Sequence, residues 1–171
     1  MIWKWLIGIA AVLVAAVALL FGIGLMLPRD HVARAARTFA APPERVAALV
    51  REVETQPRWR KDVRAIEVKE RGPDFVRYVE RSGNGAIAYE LREEAPGRRF
   101  RSTINDPSLP FGGYWLIDVA PEGTGTRVAI AEHGFVKNPL FRVLSLLYGQ
   151  DTTAKTYLAD LGRALGEKTS A

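Results

Sequence analysis

Apolar residues divide the chain into two unequal parts. From Trp5 to Leu27 no side chain is charged, a run of roughly 23 residues where about 20 helical residues cross the hydrocarbon core of a bilayer. Beyond Pro28 the pattern changes to short alternating segments punctuated by Gly, Pro and Asn. Val32, Thr38 and Phe39 place a first strand at 31–40. Pro43 then suits the first turn of a helix, Glu44 complements its positive end, and Val46, Leu49, Val50 and Val53 share one face. Gln56-Pro57 is the expected stop, followed by a loop or second short helix around Arg58-Trp59-Arg60-Lys61.

Six strands are predicted next. Val63 to Arg71 ends at Gly72-Pro73-Asp74, and Phe75 to Arg81 ends at the hairpin turn Ser82-Gly83-Asn84-Gly85. Ile87, Tyr89 and Leu91 alternate with polar neighbours, as do Phe100, Ser102 and Ile104. Trp115, Ile117 and Val119 occupy one face of a strand from Gly112 to Ala120. Val128 and Ile130 do the same between Thr126 and Phe135. Short turns between successive strands imply an antiparallel meander. After Asn138-Pro139 the period lengthens. Leu140, Leu144, Leu147, Ala154, Leu158, Leu161 and Leu165 form one stripe of a helix of about 27 residues, with a bend expected at Gly149 and Asp151.

A sheet with one apolar face needs a cover. The last helix is the only element long enough, so the expected class is α+β: a curved antiparallel sheet wrapped around a long C-terminal helix. A curved sheet gripping a straight helix tends to leave a cavity between them.

The net charge is +5, with acidic residues mixed among the basic ones. This describes a solvated surface, biased at most towards anionic headgroups, and not a nucleic-acid binder. Cysteine is absent, which excludes disulfides, thiolate metal sites and a cysteine nucleophile. His31 and His133 belong to no metal-ligand spacing, so neither a metal nor a cofactor is expected. Gly83-Asn84-Gly85 and Gly123-Thr124-Gly125 precede no helix and read as hairpin turns.

The apolar N-terminus is too long for the core of a signal peptide. The nearby Ala33-Arg34-Ala35 lies inside the first strand, where cleavage would cut the domain. About 144 further residues cannot surround such a helix on every face. The expectation is an anchor over 1–28 and one soluble domain over 29–171. Trp3 and Trp5 suit the water–lipid boundary. Lys4 precedes the helix, whereas Arg29, Arg34, Arg37 and Arg45 follow it. This positive-inside bias predicts a single-pass cell-membrane protein with its domain on the cytoplasmic side.

Several stretches carry a resemblance across about residues 31–166. These are Ala41-Pro42-Pro43-Glu44-Arg45-Val46, Trp59, Phe111-Gly112-Gly113-Tyr114-Trp115, Gly125-Thr126-Arg127-Val128, Glu132-His133-Gly134 and Asn138-Pro139-Leu140. In order and spacing they resemble the START/Bet v 1-like superfamily, also called SRPBCC or polyketide cyclase/dehydrase-like. The resemblance implies a helix-grip fold with a hydrophobic ligand in its cavity. Fold does not fix chemistry, however.

Parity assigns Tyr89, Phe100, Trp115, Ile117, Val128, Ile130 and Glu132 to the cavity face, with Leu144 and Leu147 opposite them on the helix. Glu132 is the one carboxylate in this set. It serves either as a buried acid or base or as a strand-end residue at the cavity mouth. Tyr78, Tyr89 and Tyr114 offer hydroxyls to a ligand or form amphipathic walls. Trp59 is expected under the helix pair, with a basic rim of Arg58, Arg60, Lys61 and Arg64 around it. The leading functional expectation is a membrane-tethered binder or carrier of a lipid or other hydrophobic small molecule. A cyclase or dehydratase using the same cavity and a non-binding interaction module remain open.

Overall fold

The computed structural model describes residues 2–83, 85–148 and 151–167, without the side chains of residues 2 and 145–148. Asn84 and Gly149 lie outside the described residues. Helix α1 spans Ile2–Met26. Its last backbone bond runs from Leu27 N–H to Ile23 O at 3.3 Å, and Pro28, lacking an N–H, cannot extend the ladder. Trp3–Met26 is long and apolar enough to cross a membrane.

The seven strands are β1 (Asp30–Phe39), β2 (Val63–Arg71), β3 (Phe75–Ser82), β4 (Gly85–Ala95), β5 (Arg99–Ile104), β6 (Phe111–Glu122) and β7 (Gly125–Val136). They form one antiparallel sheet in the order β1-β7-β6-β5-β4-β3-β2. The meander from β2 to β7 is as expected. β1 closes it by pairing with β7 over its whole length, from Asp30 opposite Phe135 to Phe39 opposite Thr126. The edge strand β2 carries register shifts between Val63 and Ala65 and between Val68 and Glu70. Glu67, Lys69, Glu70 and Arg71 are exposed along it.

Helix α2 (Pro43–Arg51) begins with proline in its first turn and buries Val46, Ala47 and Val50. It stops earlier than the periodicity suggested. Val53 and Gln56-Pro57 belong to a separate 3-10 helix, Val53–Arg58. Pro57 has no N–H for an α-helical bond, and its ring would crowd the carbonyl four residues back. The chain tightens before it. The buried Thr126 hydroxyl donates to Ala41 O at 2.7 Å and ties the entry of α2 to β7.

The C-terminal helix is two helices, α3 (Pro139–Tyr148) and α4 (Thr152–Ala164). A single stripe of period three and four also fits two helices in succession, which is why the pattern suggested continuity. α4 packs on the core of the sheet: Ala154, Leu158 and Leu161 are buried in one cluster with Phe39, Val46, Phe100, Val119 and Val128. α3 turns away to meet α1. There Gly24 is buried, and a Cβ on it would run into the backbone of Pro139.

Candidate functional site

The sheet, α2, the 3-10 helix, α3 and α4 enclose a cavity of about 560 Å³, within the usual range for small-molecule sites. Val50, Ile87, Leu91, Ile117 and Trp115 supply apolar wall. Tyr89, Trp115, Ile117, Glu132 and Leu144 from the expected set border it. Phe100, Val128 and Ile130 do not: they lie beyond its floor in the packed core, at most 1% exposed. The inward face of the sheet is longer than the cavity. The Leu147 side chain lies outside the described residues.

Two polar groups interrupt the apolar wall. The first centres on Arg60, which follows the 3-10 helix, and Glu80, which shares the inward parity of Val76 and Tyr78 on β3. Arg60 Nη1 donates to Glu80 Oε2 at 2.7 Å and to Gln56 Oε1 at 2.9 Å, and Nη2 donates to Asp62 Oδ2 at 3.3 Å. Burial pulls the pKa of Arg60 down, but Glu80 and Asp62, with Tyr157 and Tyr78, act against it and the net direction is up. Burial raises the carboxyl of Glu80, with Arg60 opposing. The basic rim expected around Trp59 is therefore corrected at Arg60, which turns inward. A buried Glu80 explains this, since neither charge could be buried alone.

Three tyrosines frame this pair. Tyr78 and Tyr89 stack with centroids 5.6 Å apart, and burial pushes both hydroxyls above their ordinary range. The Tyr157 ring, from α4, meets the edges of Trp59 at 5.5 Å and Trp115 at 5.8 Å. Burial pushes its hydroxyl up to about 12. That hydroxyl is buried and has no hydrogen-bond partner among the described residues. Trp59 is half-buried as the wall behind Tyr157.

The second group is His31 and Glu132, on the adjacent strands β1 and β7. Nε2 of His31 stands 3.6 Å from Oε1 of Glu132. The imidazole lies over Gly134, where any Cβ would collide with it. Glu132 sits directly across from Trp115. Its Oε2 is buried without a hydrogen-bond partner among the described residues. Burial raises the Glu132 carboxyl, while His31 and Trp115 act in the opposite direction. Tyr114 alternates with Trp115; it stacks on His133 at 4.8 Å with Arg101 over its ring.

Sequence reasoning missed Arg60, Glu80, Gln56, Tyr157 and His31. The inward parity of Glu80 was readable beside Tyr78. Its partner was not, because the pairing depends on where the 3-10 helix docks. Among the described residues no three His, Cys, Asp or Glu side chains converge as metal ligands.

Residues 30–164 match the family described as polyketide cyclase / dehydrase and lipid transport. The chain belongs to this family. The match begins at the first residue of β1 and leaves α1 outside. No curated protein matches the chain. Among solved structures, TTHA0849 from Thermus thermophilus is 26% identical with a TM-score of 0.63, covering 78% of this chain and 95% of its own. The Zhui aromatase/cyclase from Streptomyces sp. R1128 is 15% identical with a TM-score of 0.64, covering 80% and 92%. A START superfamily protein from Mycobacterium smegmatis is 15% identical with a TM-score of 0.58, covering 78% and 99%. The latter two share the fold of this chain, a helix-grip sheet closed by a C-terminal helix.

Proposed function

We propose that this protein binds an uncharged hydrophobic small molecule in its cavity and that α1 tethers it to a membrane, where such molecules concentrate. The observation that carries the reading is the cavity itself: about 560 Å³, with a wall of aliphatic and aromatic side chains in which the charged groups, Arg60 with Glu80 and Glu132 beside His31, are set as pairs. A ligand losing about 300 Å² of apolar surface to such a wall gains about 7 kcal/mol before the costs of association. The charge of Arg60 is met by Glu80 and Asp62, so among the described residues the wall offers no spare guanidinium for a carboxylate or phosphate. The unpartnered Tyr157 hydroxyl and Glu132 Oε2 suit a ligand that bears hydroxyl or carbonyl groups.

A second reading is an enzyme of the cyclase or dehydratase kind. It is favoured by the His31–Glu132 pair, a carboxyl with raised pKa beside an imidazole at the cavity wall.

The test is native mass spectrometry of the full chain released from mild detergent, followed by solvent extraction. A co-purifying hydrophobic mass that disappears in Ile117→Arg supports the binder and reveals its ligand class. A clean apo mass with no uptake from a membrane extract overturns it. If a ligand is found, incubating it with the protein and with Glu132→Gln separates the readings: conversion lost in the variant favours the enzyme.

A further inference from the structure

We propose that α3 is a lid lying in the membrane interface, and that the cavity exchanges its ligand directly with the leaflet into which α1 enters. This rests on the membrane reading of α1 given above. β1 begins four residues after α1 ends, and its first residue, Asp30, pairs with Phe135 near the end of β7. The Val136 N–H donates to Arg29 O at 2.9 Å. The start of β6 is at the same end, with Phe111 opposite Val136, and α3 follows from Pro139. The cavity is bordered at this end by Pro110, Phe111, Val136, Phe141 and Leu144. The other end is closed by solid core.

A 24-residue span is about 36 Å long against a hydrocarbon core of about 30 Å. The last turn of α1 therefore reaches headgroup level. α3 packs on that same turn, at Gly24. One guanidinium clamps the joint: Arg142 Nη1 donates to Gly24 O and Leu27 O at 3.3 Å each, Nε to Val136 O at 2.9 Å, and Nη2 to Lys137 O at 3.1 Å. α3 cannot leave the interface without breaking this clamp.

Phe141 is 52% exposed and Leu144 46%, three residues apart and hence on one side of α3. Both also border the cavity, so they stand at the lip between the interior and the outside. α3 carries no acidic residue. Arg29 and Lys137 both lie over the ring of Phe135 beside it. An apolar helix face rimmed by cations is what the boundary between acyl chains and anionic headgroups accepts.

The experiment uses the full chain in phosphatidylcholine vesicles containing phosphatidylglycerol. The protein has no cysteine, so Leu13→Cys, Phe141→Cys and Glu67→Cys each carry one nitroxide. Accessibility to oxygen and to a water-soluble nickel complex reports depth. Position 13 is expected deep in lipid, 141 at the acyl boundary and 67 in water. Position 141 as wet as 67, with 13 in lipid, overturns the lid while leaving the tether intact. Position 13 in water removes the tether as well. The route is tested by uptake of Nile red, an uncharged fluorophore, from preloaded vesicles. Uptake by the Phe141→Asp/Leu144→Asp variant is expected to slow by about tenfold or more, because carboxylates must leave water to enter the interface. The amplitude reports how much protein remains competent and the rate reports the route. An unchanged rate at measurable amplitude overturns direct exchange.

Discussion

Arg60 and Glu80 meet through a 2.7 Å hydrogen bond, with side chains only 13% and 7% exposed. Two charges held this far from water depend on each other. Glu80→Leu or Arg60→Leu alone strands a buried charge and is expected to cost about 3–5 kcal/mol. Replacing both by apolar residues of similar volume is expected to cost less than either single change. Denaturant unfolding of the four proteins closes this double-mutant cycle. Additive losses would remove the coupling.

The Glu132 carboxyl gives stability a pH dependence of definite sign. Burial raises its pKa in the folded state, so the folded protein holds that proton more tightly than the unfolded chain does. Its contribution is complete below the unfolded carboxylate range, near pH 4.5. It declines as pH rises from there through the folded pKa. Glu132→Gln keeps a neutral group at the site. The stability of the variant relative to the native chain should therefore grow from about pH 4.5 towards neutrality. Glu80 titrates in both proteins and cancels in the comparison. A constant difference across pH would show that Glu132 does not titrate abnormally.

Gly113 on β6 has φ +134, and a Cβ there would stand 2.8 Å from the Cα of Gly134 on β7. Strain and collision coincide at one residue. Gly113→Ala is expected to lose about 2 kcal/mol or more. Gly83→Ala, where added carbon meets nothing within 4 Å, should stay within about 0.5 kcal/mol of the native chain. Thermal unfolding of both compares a constrained glycine with a free one.

Leu161 is fully buried where α4 crosses the sheet. Leu161→Ala is expected to cost about 2–5 kcal/mol. Phe141→Ala on the exposed α3 should cost far less. Equal losses in urea unfolding would mean that α3, and not only α4, closes the core.

Much of this architecture was readable from local patterns. Two-residue alternation gave the inward positions of β4, β5, β6 and β7, because a strand that buries one face has no other way to distribute apolar residues. What escaped was non-local. His31 and Glu132 are brought together only by the pairing of β1 with β7, and Arg60 finds Glu80 only after the 3-10 helix docks. The break between α3 and α4 escaped for another reason: the leucine spacing continues across it, while Leu144 stands at the cavity lip and Leu158 and Leu161 lie in the core. The extent of the cavity was also beyond pattern, since Phe100 and Trp115 have equal parity but only Trp115 meets empty space.

The irregular edge strand β2 has a consequence for the protein in company. Its outer side presents backbone donors and acceptors that a second sheet could use to extend itself. Two register shifts break the regular repeat such an extension needs, and Glu67, Lys69, Glu70 and Arg71 would have to be desolvated along the seam. Crowded copies are thereby discouraged from stringing edge to edge, and the sheet gains its solubility by spoiling one of its own borders.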